Sequence, residues 1–389
     1  GLRMSGCDVI DAGIVPTPVL YFSILKTGAD GGVMVTASHN PPEYNGFKFR
    51  KKKSLPFDYR TILKIKKVAT RNRFVRRKFG SLNNVDFVKD YIEYMKNKFI
   101  LERKLKVVVD AGNGNCGQIF PKILRSVGCK VTELYCKPDG RFPNHIPDPS
   151  MDENLADLRK RVLKTRSDVG IAFDNDGDRV AFIDEKGNII RGDISMIFFS
   201  KDILRRYKKP KIVHEVKFSR AFIEYILNNG GIPVISKVGY PNIVKKMLET
   251  RSPLGGELSG HFYFSENNFY EDGMFAALKF LEILSKEDKL SKITGPFMKY
   301  ISTEEERITC PDDLKEKIVK RIRMRLILRG YRVISVDGLR LETKDGWGLL
   351  RPSNTEPELS LRFEATSKEK LNEIREIIFN ELRREGISA

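Results

Sequence analysis

Three times along the chain an apolar run short enough for a strand leads through a turn into a helical stretch and a second apolar run. That rhythm restricts the fold to α/β units with parallel strands. The clearest copy runs from the strand Lys106 to Asp110 through Ala111-Gly112-Asn113-Gly114 to a helix over Gln118 to Val127, closed by Gly128, and a strand over Lys130 to Tyr135. A second places strands at Lys211 to Val216 and Ile232 to Val238 around a helix over Arg220 to Asn228 that Gly230-Gly231 stops. The earliest combines a helix around Thr17 to Thr27, with Pro16 and Pro18 at its first turn, and a strand over Gly32 to Val35.

The tail breaks the pattern. A helix near Asp312 to Leu328 precedes a hairpin, Tyr331 to Val336 and Leu339 to Thr343, turned by Asp337-Gly338. A further strand over Leu359 to Glu364 and a final helix opened by the capping box Thr366-Ser367-Lys368-Glu369 complete a smaller α+β domain. Polar joints near Phe79 to Val85, Glu185 to Gly192 and Lys299 to Glu306 divide the 389 residues into segments 1–84, 85–188, 189–299 and 300–389.

Composition narrows the function classes. The net charge of +19, from 70 Lys+Arg against 51 Asp+Glu, suits either nucleic-acid binding or the steering of small anions into a cleft. No aromatic-rich nucleic-acid module accompanies it. In Lys320 to Arg329 apolar residues punctuate the charges as on an amphipathic helix, so a solvated basic surface is expected and no nucleic-acid partner. No apolar run is long enough to span a bilayer, so no membrane partner is expected. Five cysteines without CxxC spacing argue against a disulfide framework or a zinc site and suit a reducing cytoplasm.

Four polar clusters carry the chemistry. In Asp174-Asn175-Asp176-Gly177-Asp178-Arg179 three carboxylates alternate between the apolar strands Val169 to Phe173 and Val180 to Ile183; on extended backbone they converge on one side. Converging carboxylates need a cation, and all-oxygen ligands favour Mg²⁺ or Ca²⁺. An EF-hand is excluded because Arg179 stands where that loop needs Gly, although Glu185 falls at its twelfth position. Thr36-Ala37-Ser38-His39-Asn40-Pro41 exposes a hydroxyl at a strand end, without the GxSxG elbow of a hydrolase. Gly255 to His261 offers Glu257, Ser259 and His261 facing one way if extended. Arg351 to Thr355 sets a guanidinium beside hydroxyls and an amide, which suits a phosphate dianion.

In this order, with Pro147-Asp148-Pro149 and Val216-Lys217-Phe218-Ser219 between them, the clusters resemble the α-D-phosphohexomutase superfamily, in particular its phosphomannomutase/phosphoglucomutase branch. The resemblance implies three similar mixed α/β sheet domains and a C-terminal α+β domain around a central cleft. It implies that Ser38 is held as phosphoserine and that Mg²⁺ binds Asp174, Asp176, Asp178 and a phosphoserine oxygen. A phosphoryl group would pass between Ser38 and the 1- or 6-hydroxyl of a mannose or glucose phosphate, with a hexose 1,6-bisphosphate as intermediate and activator. His39, Lys48, Arg179 and His261 are the implied acid/base and charge-stabilising candidates, Lys48 and His261 foremost. Glu257 and Ser259 would read sugar hydroxyls, and Lys217, Arg351, Ser353, Asn354 and Thr355 would grip the idle phosphate.

A monomer or homodimer is expected. Family members begin with a strand and a phosphate-contacting Gly-Thr-rich loop not seen ahead of Gly1, so domain I is expected to lack its N-terminal strands. Tyr240-Pro241 follows Gly239 where bacterial members often carry His. The alternatives are a phosphoglucosamine mutase and a Mg²⁺-dependent phosphatase that uses the Asp cluster as nucleophile.

Overall fold

In the computed structural model, which describes residues 1–353 and 356–387, the strand Lys106–Asp110 lies between two parallel neighbours, Lys130–Leu134 and Val169–Phe173. The antiparallel strands Val180–Asp184 and Ile189–Ile190 extend this mixed sheet beyond Val169–Phe173. Every residue of Val169–Phe173 is buried, as in a strand covered on both faces. Gly170 lets the helix Ala156–Thr165 come down on it, since a Cβ there would stand 2.7 Å from Val162 Cγ2. The helix expected over Gln118 to Val127 is instead a 3₁₀ turn, Asn115–Gln118, followed by Phe120–Ser126. Pro121, which has no N–H to give, sits in the first turn of that helix.

The chain forms two compact units, Gly1–Phe199 with Ser259–Ile293 and Ser200–Leu258 with Thr294–Ala389. In the first, the helix Thr17–Thr27 begins between its prolines and ends at Gly28, whose φ is 67°. Its N-terminal part builds two separate ladders: the antiparallel pair Gly31–Val35 and Phe47–Lys51, and the parallel pair Val9–Asp11 and Leu82–Asn84. Across this unit the helix Gly273–Ser285 is almost wholly buried. Phe280 on it stacks on Phe182 with ring centroids 3.9 Å apart and packs against Phe198 at 4.3 Å, contacts that add to the burial of three large aromatic surfaces.

In the second unit Lys211–Glu215 runs parallel to Ile232–Ser236 on one side and Leu254–Gly256 on the other. The C-terminal sheet is antiparallel, ordered Ile301–Ser302, Glu358–Ala365, Gly346–Pro352, Leu339–Glu342, Arg332–Ile334. The helices Asp312–Leu328 and Lys368–Arg384 bury Ile318, Ile322, Leu326, Ile374, Ile378 and Leu382 in the core of this region. The last helix is capped one residue later than the expected box places it: Ser367, not Thr366, is the N-cap, its Oγ accepting from Lys370 N at 3.3 Å. The strand Gly346–Pro352 was not expected. It carries Trp347, fully buried, with the Arg340 guanidinium 3.9 Å from its ring centroid and Glu364 Oε1 accepting from its Nε1 at 2.8 Å. Among the described residues no helix is long and apolar enough to cross a membrane.

His214, on Lys211–Glu215, is buried beside Phe218 and Phe222, and its Nδ1 lies 3.0 Å from the Glu215 carbonyl. Burial above all, with some help from Arg340, pushes its pKa down to about 3. A pKa depressed on folding means that the unfolded chain takes up the proton first. The stability that neutral His214 contributes is therefore complete above about pH 6.5 and lost as pH falls toward 3. Urea unfolding at pH 6.5 and 4.5 should show His214→Gln, which keeps a donor but does not titrate, losing about 2–3 kcal/mol less than the parent over that interval. Equal losses in the two proteins would contradict the assignment.

Candidate active site

The strands Val169–Phe173 and Val180–Asp184 are joined by residues 174–179, and the acidic residues sit in this connection as a turn. The expectation of alternating carboxylates on extended backbone is thus corrected. Gly177 N donates to the Asp174 backbone carbonyl at 3.2 Å, and Asp174 Oδ1 accepts from Gly177 N at 3.0 Å and from Arg179 N at 3.1 Å. Turn geometry, rather than strand alternation, brings the three side chains together. Gly177 has φ 77°, and a Cβ on it would lie 2.1 Å from Cys116 Sγ, so no larger residue fits.

Asp174, Asp176 and Asp178 are all buried, with one oxygen of each within 4.8 Å of the others. Ser38 Oγ donates to Asp174 Oδ2 at 2.8 Å. Thr17 Oγ1 and Lys48 Nζ each donate to Asp176 Oδ2 at 2.7 Å, and Lys48 also pairs with Asp178. The remaining oxygen, Asp176 Oδ1, is buried with no hydrogen-bond partner. A buried carboxylate oxygen in that state costs free energy that a cation would recover. Three carboxylates and a hydroxyl form an oxygen-only set suited to a hard divalent ion, so the residues fit a metal.

Charge within the cluster is strongly redistributed. Burial, then the neighbouring Asp178 and Asp176, pushes the Asp174 carboxyl well above the usual range. Burial acts the same way on Asp178, but Lys48, His261 and Arg179 overcome it and hold that carboxyl well below its ordinary value. Burial likewise opposes the charge on Lys48, and Asp176 and Asp178 overcome it, keeping the side chain an ammonium.

Ser38 itself has φ 55°, a left-handed conformation that costs a non-glycine residue on the order of 1 kcal/mol and is found where function holds it. Its amide donates to Thr36 Oγ1 at 2.9 Å. The antiparallel register of the following hairpin sets Lys48 opposite Met34 and returns it toward the serine. His39 Nδ1 stands 3.3 Å from Ser38 Oγ, and its Nε2 stands 3.4 Å from Arg179 Nη1 and 4.0 Å from Asp148 Oδ2. Burial, then Arg179, lowers the His39 pKa to about 4. His261 Nε2 is 3.2 Å from both Arg179 Nε and Asp178 Oδ1. One nitrogen cannot accept from the Arg179 N–H and donate to the Asp178 carboxylate at once, so the protonation of Nε2 decides which of the two bonds forms.

The other expected residues lie in the second unit, except Ser259. Lys217 Nζ is 3.0 Å from Glu305 Oε2 and 3.7 Å from Glu215 Oε1. Arg351 Nε pairs with Asp337 Oδ2 at 3.2 Å, and Ser353 Oγ accepts from Glu356 N at 3.2 Å. Glu257 Oε1 accepts from Gly239 N at 2.6 Å, and Glu215 Oε1 accepts from Leu258 N at 2.9 Å. Burial above all raises the Glu215 pKa to about 7. The stretch from Glu257 to Gly260 is not extended, as required for Glu257, Ser259 and His261 to face one way. It turns, with Gly260 at φ 93° packed on the Val180 carbonyl, and Ser259 is half-buried in the turn. Asn354 and Thr355 lie outside the described residues.

Several partners were missed by reading the sequence: Thr17, Asp148, Glu215, Glu305 and Asp337. Asp148 within Pro147-Asp148-Pro149, Asp337 in the Asp337-Gly338 turn and Glu215 next to Val216-Lys217 stood in or beside stretches that the sequence singles out; Thr17 read only as a helix start and Glu305 only as part of a polar joint. A surface crevice of about 560 Å³ lined by Arg103, Arg166, Asp168, Glu185 and Lys289 shares no residue with either group.

The four domain models described as phosphoglucomutase/phosphomannomutase match this chain in order: alpha/beta/alpha domain I over residues 1–76, domain II over 89–187, domain III over 191–300 and the C-terminal domain over 305–381. A phosphomannomutase/phosphoglucomutase of Pseudomonas aeruginosa is 40% identical over 389 residues, covering 98% of this chain and 83% of the relative. A phosphoglucomutase of Neisseria gonorrhoeae is 37% identical over 381 residues, covering 96% and 82%. The crystal structure of a phosphoglucomutase/phosphomannomutase family protein from Burkholderia thailandensis superposes with a TM-score of 0.92 at 36% identity, covering 99% of this chain and 84% of that one. With four domain models in order and relatives at this identity along nearly its whole length, the chain belongs to the phosphoglucomutase/phosphomannomutase family of phosphoryl-transferring isomerases.

Proposed function

We propose that this enzyme moves a phosphoryl group between the 1- and 6-hydroxyls of mannose or glucose phosphate by way of Ser38. The observation that carries this reading is the Ser38 hydroxyl hydrogen-bonded at 2.8 Å to Asp174, one of three buried carboxylates gathered for a cation. Ser38 as phosphoserine would lose its Oγ–P bond as the sugar oxygen gains one. The sugar's proton would pass to a nearby base, and a second transfer would return the other phosphate to Ser38. Asp174, Asp176, Asp178 and a phosphoserine oxygen would hold Mg²⁺. When bound, that ion would neutralise charge on the transferring phosphoryl oxygens.

Arg179, 3.4 Å from His39, can add to that neutralisation, and Lys48 and His261 are the candidates for moving protons. Glu257 and Ser259 would read hydroxyls of the sugar. Lys217, Arg351, Ser353, Asn354 and Thr355 would hold the phosphate that is not reacting, the first two drawn from their present carboxylates Glu305 and Asp337. The basic surface would draw in these anionic sugars, and five free cysteines suit a cytoplasmic setting. The test is incubation with glucose 1-phosphate or mannose 1-phosphate, Mg²⁺ and a trace of the 1,6-bisphosphate. The expected product is the 6-phosphate; release of inorganic phosphate with no isomer would instead establish a phosphatase.

A further inference from the structure

Three consecutive residues, Glu271-Asp272-Gly273, touch the acidic turn and two of the chain segments that pack against it. Gly273 N donates to the Gly177 carbonyl at 3.0 Å, and a Cβ on Gly273 would stand 2.8 Å from the Arg179 carbonyl and 2.9 Å from the Gly177 carbonyl. The turn thus lies directly on the start of the helix Gly273–Ser285. Asp272 anchors that start: its buried carboxylate accepts from Phe275 N at 2.9 Å and from the Tyr91 hydroxyl at 2.9 Å. Glu271 reaches the other way. It forms a buried ion pair with Arg50, two residues past Lys48 on Phe47–Lys51, and accepts from the Tyr21 hydroxyl at 3.3 Å on the helix that begins with Thr17. The Arg50 guanidinium stacks 4.0 Å from the Tyr21 ring centroid.

We propose that Glu271-Asp272-Gly273 is a clamp whose residues act as positioning residues for the metal-holding turn, fixing it against the strand that carries Lys48 and the helix that carries Thr17. None of the three touches the carboxylates themselves, so they act by setting where those carboxylates stand. The proposal rests on reading the Asp174–Asp178 turn as a Mg²⁺ site. Loss of groups that hold ligands in place typically weakens metal binding ten- to a hundredfold.

The test is calorimetric titration of Mg²⁺ into the full chain and three variants, with thermal unfolding of each. Gly273→Ala adds a methyl group at a helical position where alanine is ordinarily favourable, so any loss of affinity reports pressure on the turn. Glu271→Gln keeps the side-chain shape and removes the charge facing Arg50. Leu281→Ala truncates the core of the same helix far along from the clamp. The expected result is a Mg²⁺ dissociation constant raised at least about tenfold in Gly273→Ala and Glu271→Gln, and unchanged in Leu281→Ala although its melting temperature falls. Parental affinity in both clamp variants would overturn the proposal, as would a loss in Leu281→Ala equal to theirs, which would mark the effect as general destabilisation. A parent that binds no Mg²⁺ would overturn the metal reading and the clamp together.

Discussion

Ser38→Ala should lower turnover at least about a thousandfold and abolish a phosphate adduct that intact-mass measurement finds on the parent. No neighbouring hydroxyl can replace it: Thr36 is engaged with the Ser38 amide, and Thr17 donates to Asp176. Removing the atom proposed to carry the transferred group from a set that works as a unit is among the largest single losses an enzyme shows. The fold should survive, because Ser38 is half-buried and its hydroxyl donates to one side chain, Asp174. The backbone supplies an internal control. At φ 55° glycine is unstrained where alanine is not, so Ser38→Gly should be as inactive as Ser38→Ala yet more stable by about 1 kcal/mol in urea unfolding. Turnover near the parental level in either variant, or an adduct that persists in them, would remove Ser38 from the mechanism.

The legibility of this chain follows the range of the interactions involved. Elements set by local signals were readable to within a few residues: the helix Thr17–Thr27 between its prolines and Gly28, the strand Lys106–Asp110, and the last helix behind Ser367. Gly346–Pro352 was hidden because its determinants are distant. Its two glycines are required by the neighbouring strand and the final helix: a Cβ on Gly346 would stand 2.0 Å from the Glu364 carbonyl, and one on Gly348 2.8 Å from Ile378. Those contacts lie far along the chain, and no period of two betrays them.

The site divides in the same way. The acidic cluster and its convergence were visible in the sequence, but the backbone was misread, since alternation suggested an extended run where Gly177 and the Asp174 side chain close a turn. Thr17 could not be found at all. Its hydroxyl reaches Asp176 across 159 residues of sequence, and a threonine between two prolines reads locally as a helix start and nothing more. The carboxylates that pair with Lys217 and Arg351, Glu305 and Asp337, are likewise separated from their partners in sequence.

Lys48→Met should separate metal binding from catalysis, moving them in opposite directions. The ammonium of Lys48 lies 2.7 Å from Asp176 and also pairs with Asp178, so it shares two of the carboxylates proposed to hold Mg²⁺. Two positive charges cannot both sit closely on the same oxygens; at the effective dielectric of a protein site a unit-charge pair about 4 Å apart interacts by roughly 4 kcal/mol. Without the competing ammonium, the Mg²⁺ dissociation constant measured by calorimetry should fall about ten- to a hundredfold. In metal-free buffer the same variant leaves buried carboxylates without their cation and should lose about 3 kcal/mol of stability, which saturating Mg²⁺ should largely restore. Turnover with glucose 1-phosphate at saturating Mg²⁺ should nevertheless drop on the order of 10²- to 10⁴-fold, the range expected when a positioned proton-transfer group is lost. Weaker Mg²⁺ binding in the variant would show that Lys48 supports the ion instead of competing with it. Tighter binding with parental turnover would leave His261 as the remaining leading candidate for moving the sugar's proton, since its Nε2 stands 3.2 Å from Asp178 on the same cluster.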